Sequence, residues 1–312
     1  MKFKLWGQFI FLVIFFTGCL PVISTELDYP SNHSSLAESQ ITELTLTQIT
    51  TATTTATTIP TGTPFLPFTA TTTPIPPTTT PTVDPNKILL GPGDVLIPIL
   101  MYHHVSPYSA GSEYAVSLDQ FRRQMQWLQE QGYQTILVSD MVEAVKDGKL
   151  LPLKPIILTF DDGFKDVYEN AFPLLTEFGF TATIYLIEDV INKHPYMTDE
   201  MVETLITAGW EIGNHSKSHA HLPTSRDLEN EVCLSRARLI ERFNQPFESF
   251  AYPYAAKDDK SIQAVKDCGY TSSAGNGSFT IQTEERLFFF SRREIKSYFD
   301  MQRFITTVTD VR

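Results

Sequence analysis

The segment PIILTFDDG, from Pro155 to Gly163, decides the fold. Its first six residues, PIILTF, form a largely apolar run, which is typical of a strand buried on both faces of a parallel sheet. Two aspartates and a glycine follow at the point where this strand ends. Functional residues of β/α folds cluster at the carboxyl ends of strands. The segment therefore predicts a buried parallel strand that presents Asp161 and Asp162 at a functional site.

Strands and helices alternate along the rest of the chain. Apolar runs predict further strands at 95–102, 133–138, 181–187, 210–213, 249–252, 270–274 and 287–295. Helical spacing and capping residues predict helices at 118–132 after the N-cap Ser117, and at 141–146, 167–178, 198–209 and 226–243.

This alternation predicts an α/β fold with a parallel sheet and helical crossovers. The folded region, 87–312, has about 226 residues and forms a single domain on this interpretation. A length of this kind suits a closed or nearly closed β/α barrel better than two small domains.

The first 86 residues have a different composition. Lys2 and Lys4 are their only basic residues, and residues 41–82 contain 20 threonines and 7 prolines. Such a stretch buries too little apolar surface to offset the entropy lost on ordering. We therefore predict a disordered Thr/Pro-rich linker at 20–86.

Residues 1–19 have the layout of a secretory signal peptide, with a positive start and an apolar run at 9–16. The run is shorter than the roughly 20 residues of a membrane-spanning helix. Small residues before Cys19 resemble a bacterial lipoprotein signal, so we expect an exported protein, at the cell surface and anchored to a membrane by lipid on Cys19. A plain signal peptide remains the alternative. In an exported protein, Cys233 and Cys268 could pair or stay free.

The composition of the folded region excludes several function classes. It carries 22 basic and 31 acidic residues, a formal charge of −9, with no basic run, which disfavours nucleic-acid binding. It has no glycine-rich phosphate loop and no Ser-His-Asp order, which disfavours nucleotide binding and serine-esterase chemistry.

Polar side chains follow several of the predicted strands. They are His103 and His104 after 95–102, Asn214, His215 and His219 after 210–213, and Pro253 and Tyr254 after 249–252. Because the carboxyl ends of parallel strands meet at one edge of a sheet, we expect these side chains to converge with Asp161 and Asp162.

The converging residues suit metal-assisted hydrolysis. His215 and His219 are four residues apart, so on a helical turn their rings point the same way and can share a metal ion. One carboxylate, from Asp161 or Asp162, completes a two-histidine, one-carboxylate set that leaves positions open for water and substrate. The other aspartate can act as a base. Oxygen and nitrogen ligands of this kind permit zinc, nickel, cobalt or iron.

Five short motifs point to one known family. They are PILMYHHV at 98–105, TFDDG at 159–163, GWEIGNH at 209–215, HSKSH at 215–219 and AYPY at 251–254. Together they resemble the polysaccharide deacetylases, the NodB-homology domain of carbohydrate esterase family 4. The resemblance covers 96–304 and implies a distorted β/α barrel that uses a divalent metal ion to remove acetyl groups from a glycan.

The resemblance also implies roles for individual residues. Asp161 would be the base, and Asp162, His215 and His219 would hold the metal ion, with zinc as the first expectation. The backbone N–H of Tyr254 would stabilise the oxyanion, while its ring and Pro253 would line the sugar site.

Three departures from the family pattern matter. The arginine that usually begins the third motif is absent from SFAYPY, which makes Arg292 or Arg293 the candidate partner of Asp161. No histidine follows His221, so the family's C-terminal acid is missing. Either His103 or His104, which are also the candidate substrate contacts, is the acid, or the acid is absent. The aspartate–tryptophan motif of the peptidoglycan and chitin enzymes is also missing. The remaining pattern looks more like the exported poly-N-acetylglucosamine deacetylases.

The leading interpretation is therefore an exported deacetylase of an acetylated polysaccharide. Deacetylation of peptidoglycan, chitin or acetylxylan and hydrolysis of a small cyclic amide are alternatives within the same chemistry. A non-catalytic glycan-binding domain that retains a metal ion is an alternative outside it. A facial-triad iron oxygenase is disfavoured by the order of the aspartates and histidines along the chain.

Overall fold

The computed structural model describes residues 84–106 and 111–311 of the chain. The predicted signal peptide, the lipidation site at Cys19 and all but the last three residues of the predicted linker lie outside these residues. The domain boundaries at residues 19 and 86 therefore stay predictions. The described residues belong to one compact unit.

Within the described residues, fourteen short strands are formed. They are β1 (Lys87–Leu90), β2 (Val95–Leu96), β3 (Ile99–Tyr102), β4 (His104–Ser106), β5 (Ala115–Ser117), β6 (Gln134–Thr135), β7 (Lys149–Pro152), β8 (Pro155–Phe160), β9 (Thr183–Leu186), β10 (Glu211–Asn214), β11 (Ser249–Ala251), β12 (Ser272–Ala274), β13 (Ile281–Gln282) and β14 (Arg293–Glu294).

Helices connect most of the strands of the main sheet. The α-helices are α1 (Leu118–Glu130), α2 (Val138–Asp147), α3 (Phe172–Glu177), α4 (Asp199–Thr207), α5 (Ser235–Phe243), α6 (Asp259–Asp267) and α7 (Met301–Thr309). Two helices begin with π-helical turns, at Val167–Ala171 before α3 and at Glu229–Leu234 before α5.

The main sheet is parallel and has the strand order β12-β11-β10-β9-β8-β3-β14, with β6 paired to the start of β8. Its register places Tyr102 opposite Phe160 and Asn214 opposite Leu186. The residues after β3, β8 and β10 therefore emerge at one edge. A parallel bridge between Ala274 and Phe290 links β12 to the segment leading into β14, so the sheet curls back on itself. This is the distorted β/α barrel that the sequence predicted.

The alternation of side chains along β8 separates the core from the site. Ile156, Leu158 and Phe160 belong to the cluster that packs the sheet against the outer helices. Ile157 belongs to a second cluster, with Tyr185 and residues of other strands, inside the curled sheet. Since successive strand residues point to opposite faces, Thr159 and then Asp161 continue the inner row.

The predicted strand over 95–102 is two strands, β2 and β3. Ile97 and Pro98 separate them, and β2 pairs with β13 whereas β3 pairs with β8. The predicted strand over 133–138 shrinks to β6, because the Asp140 carboxylate accepts the Leu137 N–H and α2 begins at Val138. The side-chain cap at the start of α2 therefore ends the strand before the end of the apolar run.

The predicted strand over 287–295 is wrong for most of its length. Glu284–Phe289 is a 3₁₀-helix, and only β14 is a strand. The Phe288 carbonyl accepts hydrogen bonds from the Ser273 and Tyr252 side-chain hydroxyls, at 2.7 and 3.2 Å, instead of from a neighbouring strand. The run of phenylalanines reflects burial, which a 3₁₀-helix provides as well as a strand.

A disulfide joins Cys233 to Cys268, whose Cα atoms are 4.9 Å apart. It ties the π-helical turn Glu229–Leu234 to the end of α6 and resolves the two alternatives for these cysteines in favour of pairing. Within the described part of the chain, no helix combines the length and the apolar character needed to cross a membrane.

We predict that Glu211 makes the stability of the domain pH-dependent. Burial raises the pKa of Glu211, at the start of β10, to about 7, although its carboxylate accepts the Ser139 N–H at 2.8 Å. Between about pH 4.3, the usual value for glutamate, and pH 7, the folded chain keeps a proton that the unfolded chain loses. The free energy of unfolding should therefore fall as the pH rises through this window.

Glu211→Gln removes this titration and keeps an acceptor for the Ser139 N–H. Urea unfolding at pH 5 and pH 8 should show the variant gaining stability relative to the parent protein at the higher pH. The same change in unfolding free energy for both proteins would contradict the prediction.

Candidate functional site

Asp161 and Arg292 form a buried ion pair inside the curled sheet. The Arg292 guanidinium donates to Asp161 Oδ1 at 2.6 Å and to Oδ2 at 2.7 Å. It also donates to Thr159 Oγ1 at 3.2 Å and to the Gly275 carbonyl at 3.0 Å, and it lies over the Tyr185 ring. Both partners are almost fully buried. This bidentate geometry is the strongest form of an ion pair and fixes the carboxylate in one orientation.

The protonation state of Asp161 follows from this pair. Burial acts to raise the pKa of Asp161, but the positive charge and hydrogen bonds of Arg292 outweigh it and hold the pKa well below its usual range. Asp161 is therefore ionised at neutral pH.

Arg293, the other arginine considered as the partner of Asp161, is not in the site. Its guanidinium donates to the carbonyls of Ser278 and Thr307 and to Thr280 Oγ1. Adjacent residues of a strand face opposite ways, so Arg292 points inward and Arg293 points toward the C-terminal helix. Assigning Arg293 a catalytic role was wrong for this reason.

Asp162, His215 and His219 form a separate cluster beside the ion pair. Asp162 Oδ1 lies 3.4 Å from Nε2 of each histidine, and one ligand atom from each residue lies within 4.8 Å of the others. The two adjacent aspartates thus point to different partners, Asp161 to an arginine and Asp162 to two imidazoles.

The orientation of His215 is set by the backbone. Its Nδ1 lies 2.7 Å from the Ala251 carbonyl, which can only accept, so Nδ1 carries the proton. Nε2 then presents its lone pair toward Asp162. A histidine that is held by a carbonyl at one nitrogen and open at the other is the usual arrangement of a metal ligand.

The two histidines meet by a route that the sequence did not predict. Residues 215–219 form a loop rather than a helical turn, with left-handed backbone at Ser216 (φ 67°) and His219 (φ 60°). The expectation that helical spacing aligns the rings was therefore wrong, although the rings do come together, with centroids 4.9 Å apart.

Left-handed backbone is concentrated at this site. Among the described residues, seven other than glycine have positive φ, and five of them lie here: Asp162, Ser216, His219, Tyr254 and Ala255. Such conformations are costly for residues with a Cβ and persist where the surrounding structure imposes them, often at functional sites.

The donor set fits a divalent metal ion. Asp162 Oδ1 is buried and has no hydrogen-bond partner among the described residues, because 3.4 Å is too long for a good hydrogen bond. An unpaired buried carboxylate oxygen that faces two imidazole nitrogens is an unfavourable arrangement unless a cation lies between them. One carboxylate and two histidines are also a ligand set common to zinc and to first-row transition metals.

An open cavity of about 380 Å³ lies over the ion pair and the cluster. Of the residues that the sequence singled out, it is lined by Asp161, Asp162, His215, His219, Arg292, His103, His104 and Tyr254. Pro253 is buried at the start of a short 3₁₀-helix and does not line the cavity, so its predicted contact with substrate is not supported.

The two neighbouring histidines differ in their environment. His103 Nδ1 is buried, has no hydrogen-bond partner among the described residues and lies 4.0 Å from Glu294 Oε1. Burial lowers the pKa of His103, although the negative charges of Asp161 and Asp162 act to raise it. His104 Nδ1 lies 2.8 Å from Asp166 Oδ2, and its ring stacks on Phe164. His104 is therefore held in place, and His103 has a free nitrogen in the cavity wall.

Tyr254 stands at the rim of the cavity. Its side chain is 68% exposed, and its ring packs edge-on against His219, with centroids 4.5 Å apart. Its backbone has φ 59° and ψ 13°, and no group in the described chain accepts its N–H. An unpaired N–H at this position is a possible donor to a ligand in the cavity.

Sequence reasoning missed other residues of the cavity wall. Glu294, Tyr114, Tyr252 and Asn276 all line it. Glu294 was detectable, because it lies two residues after Arg292 in an extended segment, so the two side chains face the same way. Asn276 and Tyr114 lie in loops whose positions depend on the closure of the sheet, and no sequence pattern marks them.

The family model described as polysaccharide deacetylase matches residues 149–273. These residues include β8, the Asp-Asp-Gly turn, the 215–219 loop and Tyr254. This part of the chain is therefore similar to the polysaccharide deacetylases. His103, directly after β3, and Arg292, directly before β14, lie outside the matched residues.

Related proteins agree with this match. The chain is 30% identical over 176 residues to YxkH of Bacillus subtilis (strain 168), which carries the family's name, and 24% identical over 217 residues to the poly-beta-1,6-N-acetyl-D-glucosamine N-deacetylase of Escherichia coli (strain K12). These matches cover 56% and 55% of this chain, and the chain spans only 62% and 32% of those relatives.

A solved structure resembles the folded region of this chain. BC0361, a polysaccharide deacetylase from Bacillus cereus, superimposes with a TM-score of 0.63 at 25% identity, over 69% of this chain and 70% of that one.

We predict that Arg292→Met strongly destabilises the domain, because it leaves the Asp161 charge buried without a partner. Breaking one side of a buried ion pair costs about 3–5 kcal/mol. The double variant Asp161→Asn, Arg292→Met removes both charges and should recover a large part of that loss. Urea unfolding of the metal-free proteins measures both effects. An Arg292→Met variant as stable as the parent would show that the pair is not what holds this region together.

Proposed function

We propose that the folded region of this chain hydrolyses acetyl groups from a polysaccharide, with the N-acetyl groups of poly-N-acetylglucosamine as the preferred substrate. The observation that carries the proposal is the cluster of Asp162, His215 and His219 beside the ionised Asp161, in a cavity open to solvent. This arrangement combines a cation site and a carboxylate base within reach of one bound acetyl group.

Asp162, His215 and His219 would hold the metal ion, with zinc first and nickel, cobalt or iron as alternatives. A divalent cation there supplies Lewis acidity, which polarises the acetyl carbonyl and lowers the pKa of water.

Asp161 acts on the attacking water. Arg292 occupies both of its oxygens from one side and keeps it ionised, so the carboxylate can orient the water through its remaining lone pairs and take its proton. The fixed geometry of the pair means that no reorientation is needed during the reaction.

Tyr254 acts on the carbonyl oxygen, and His103 acts on the leaving group. The unpaired Tyr254 N–H donates to the oxygen on which negative charge develops, and a donor of this kind contributes about 3–4 kcal/mol to the transition state. His103 lines the cavity, and its protonated ring delivers a proton to the departing sugar amine. His104 is tied to Asp166 and contributes to the shape of the cavity.

The preference for poly-N-acetylglucosamine rests on the sequence pattern and on relatives that carry this activity in their names. Peptidoglycan, chitin and acetylxylan are the alternative substrates. We also propose that the protein is exported and anchored through lipid on Cys19. The signal-like residues 1–19 support this, as does the Cys233–Cys268 disulfide, which is typical of an oxidising compartment.

Acetate release tests the proposal. The purified protein, loaded with zinc, should release acetate from poly-N-acetylglucosamine, and a chelator should abolish the release until zinc is restored. Asp161→Asn and His215→Ala should each reduce kcat at least about 100-fold, because they remove the base and a ligand. His221→Ala is the matched control, since His221 is exposed and does not line the cavity.

Chitin oligomers, peptidoglycan and acetylxylan assayed in parallel identify the substrate. Binding of one of these glycans by the zinc-loaded protein with no acetate released from any would contradict the proposed hydrolysis and establish a glycan-binding domain.

We predict that His103→Gln lowers kcat about 10²–10⁴-fold, the range for loss of a general acid, with little change in KM. His104→Gln changes a neighbouring ring of the same cavity and should affect KM more than kcat. Steady-state kinetics of acetate release separate the two. Equal effects of both substitutions on kcat would remove His103 from its assigned role.

A further inference from the structure

The loop 215–219, which carries both histidines of the cluster, is held by a carboxylate outside the cavity. Glu231 is buried, and both of its oxygens accept hydrogen bonds from Ser218: Oε2 from the Ser218 N–H at 2.9 Å and Oε1 from the Ser218 hydroxyl at 2.7 Å. The Glu231 carbonyl also accepts the Lys217 N–H at 3.0 Å. One residue therefore satisfies three donors of a five-residue loop.

The loop needs such support because its own backbone is unfavourable. Ser216 and His219 are left-handed, and a hydrogen bond from the His219 N–H to Ser216 Oγ, at 2.9 Å, is its internal link. Left-handed conformations at residues with a Cβ cost of the order of a kcal/mol each and persist only when neighbours impose them. The position of His219 thus depends on groups that hold the residues before it.

The segment that carries Glu231 is itself fixed. Glu231 lies in the π-helical turn Glu229–Leu234, whose Cys233 is tied by the disulfide to Cys268. π-Helical turns are rare and are frequently found at functional sites. Here the turn directs a carboxylate against the loop and away from solvent.

On the opposite side, the loop is bound to residues after β9. The Glu188 N–H donates to the Ser216 carbonyl at 3.2 Å and the Asp189 N–H to the Lys217 carbonyl at 2.8 Å. These contacts hold the beginning of the loop, whereas Glu231 holds Ser218, the residue directly before His219. Glu231 therefore holds the residue next to His219 from a side that the other contacts do not reach.

We propose that Glu231 is the positioning residue of the metal site, and that it sets the affinity for the metal ion by fixing the loop that presents His219. The inference rests on the proposed function only in taking Asp162, His215 and His219 as ligands. Glu231 touches neither substrate nor these three side chains and acts through Ser218.

Zinc affinity tests the proposal directly. Competition with a chromophoric chelator should show that Glu231→Ala weakens zinc binding at least about tenfold, the lower end of the range for loss of a group that orients a ligand. Glu231→Gln should bind zinc within about threefold of the parent, because its amide oxygen can accept the Ser218 N–H and its NH₂ can donate to the Ser218 hydroxyl. Glu229→Ala, an exposed glutamate of the same π-helical turn, is the matched control and should match the parent.

A second readout does not involve the metal ion. Hydrogen exchange of the metal-free proteins should show the Ser218 amide exchanging at least about tenfold faster in Glu231→Ala than in the parent and in Glu229→Ala, because its acceptor is gone. If Glu231→Ala does not fold, Ser218→Ala takes its place. Ser218 is exposed, and this substitution removes the shorter of its two hydrogen bonds to the Glu231 carboxylate. Zinc binding should therefore weaken measurably.

A folded Glu231→Ala variant with the zinc affinity and Ser218 exchange rate of the parent would overturn the proposal. A parent protein that binds no zinc would instead refute the proposed metal site itself. The two failures are therefore distinguishable in the same titration.

Discussion

Inside the curled sheet, Arg292 and Asp161 keep two opposite charges away from water, and four separate segments of the chain surround them. Burying an ion pair is costly, and the cost is recovered only when the geometry is good and the remaining donors are satisfied. Arg292 meets this condition through Asp161, Thr159 and the Gly275 carbonyl. The pair therefore requires β8, the segment after β12 and the start of β14 to lie at one place, which is where the sheet turns back on itself.

This constraint also gives the two aspartates different partners. Asp161 continues the inward row of β8 and meets the arginine, whereas the left-handed backbone of Asp162 (φ 74°) turns its carboxylate toward the histidines. Gly163 follows with φ 79°, and a Cβ there would lie 2.9 Å from the Leu186 side chain. The DDG triplet thus works as a unit, because its second residue takes a strained conformation and its third combines a positive φ with a close approach to the buried Leu186 side chain.

Much of this structure could be predicted from the sequence. The strand PIILTF was predicted with its exact bounds, because six buried residues followed by a turn leave few alternatives. The residues at the strand ends were also identifiable, since parallel topology brings those ends together. To choose between Arg292 and Arg293, one must know which of the two side chains points to the inside of the curled sheet. That orientation could not be read from the predicted strand 287–295, of which only Arg293 and Glu294 form a strand.

The loop 215–219 shows a different limit of prediction from sequence. Its histidine spacing suggested a helical turn, but the conformation is set by contacts with residues 188–189 and with Glu231, which are distant in sequence. Local periodicity carries no information about such contacts. The same holds for Asn276 and Tyr114, which reach the cavity only after the sheet has closed.

Tyr254 offers its backbone to the cavity while its ring points mainly to solvent. A group delivered by the main chain is present whatever side chain is attached, provided that the residue tolerates a left-handed conformation. The exposed part of the ring can therefore change without loss of the N–H. Under the proposed function, the surface toward neighbouring sugars could then diverge while the contact to the developing oxyanion stays in place, so this position is one at which glycan preference can evolve.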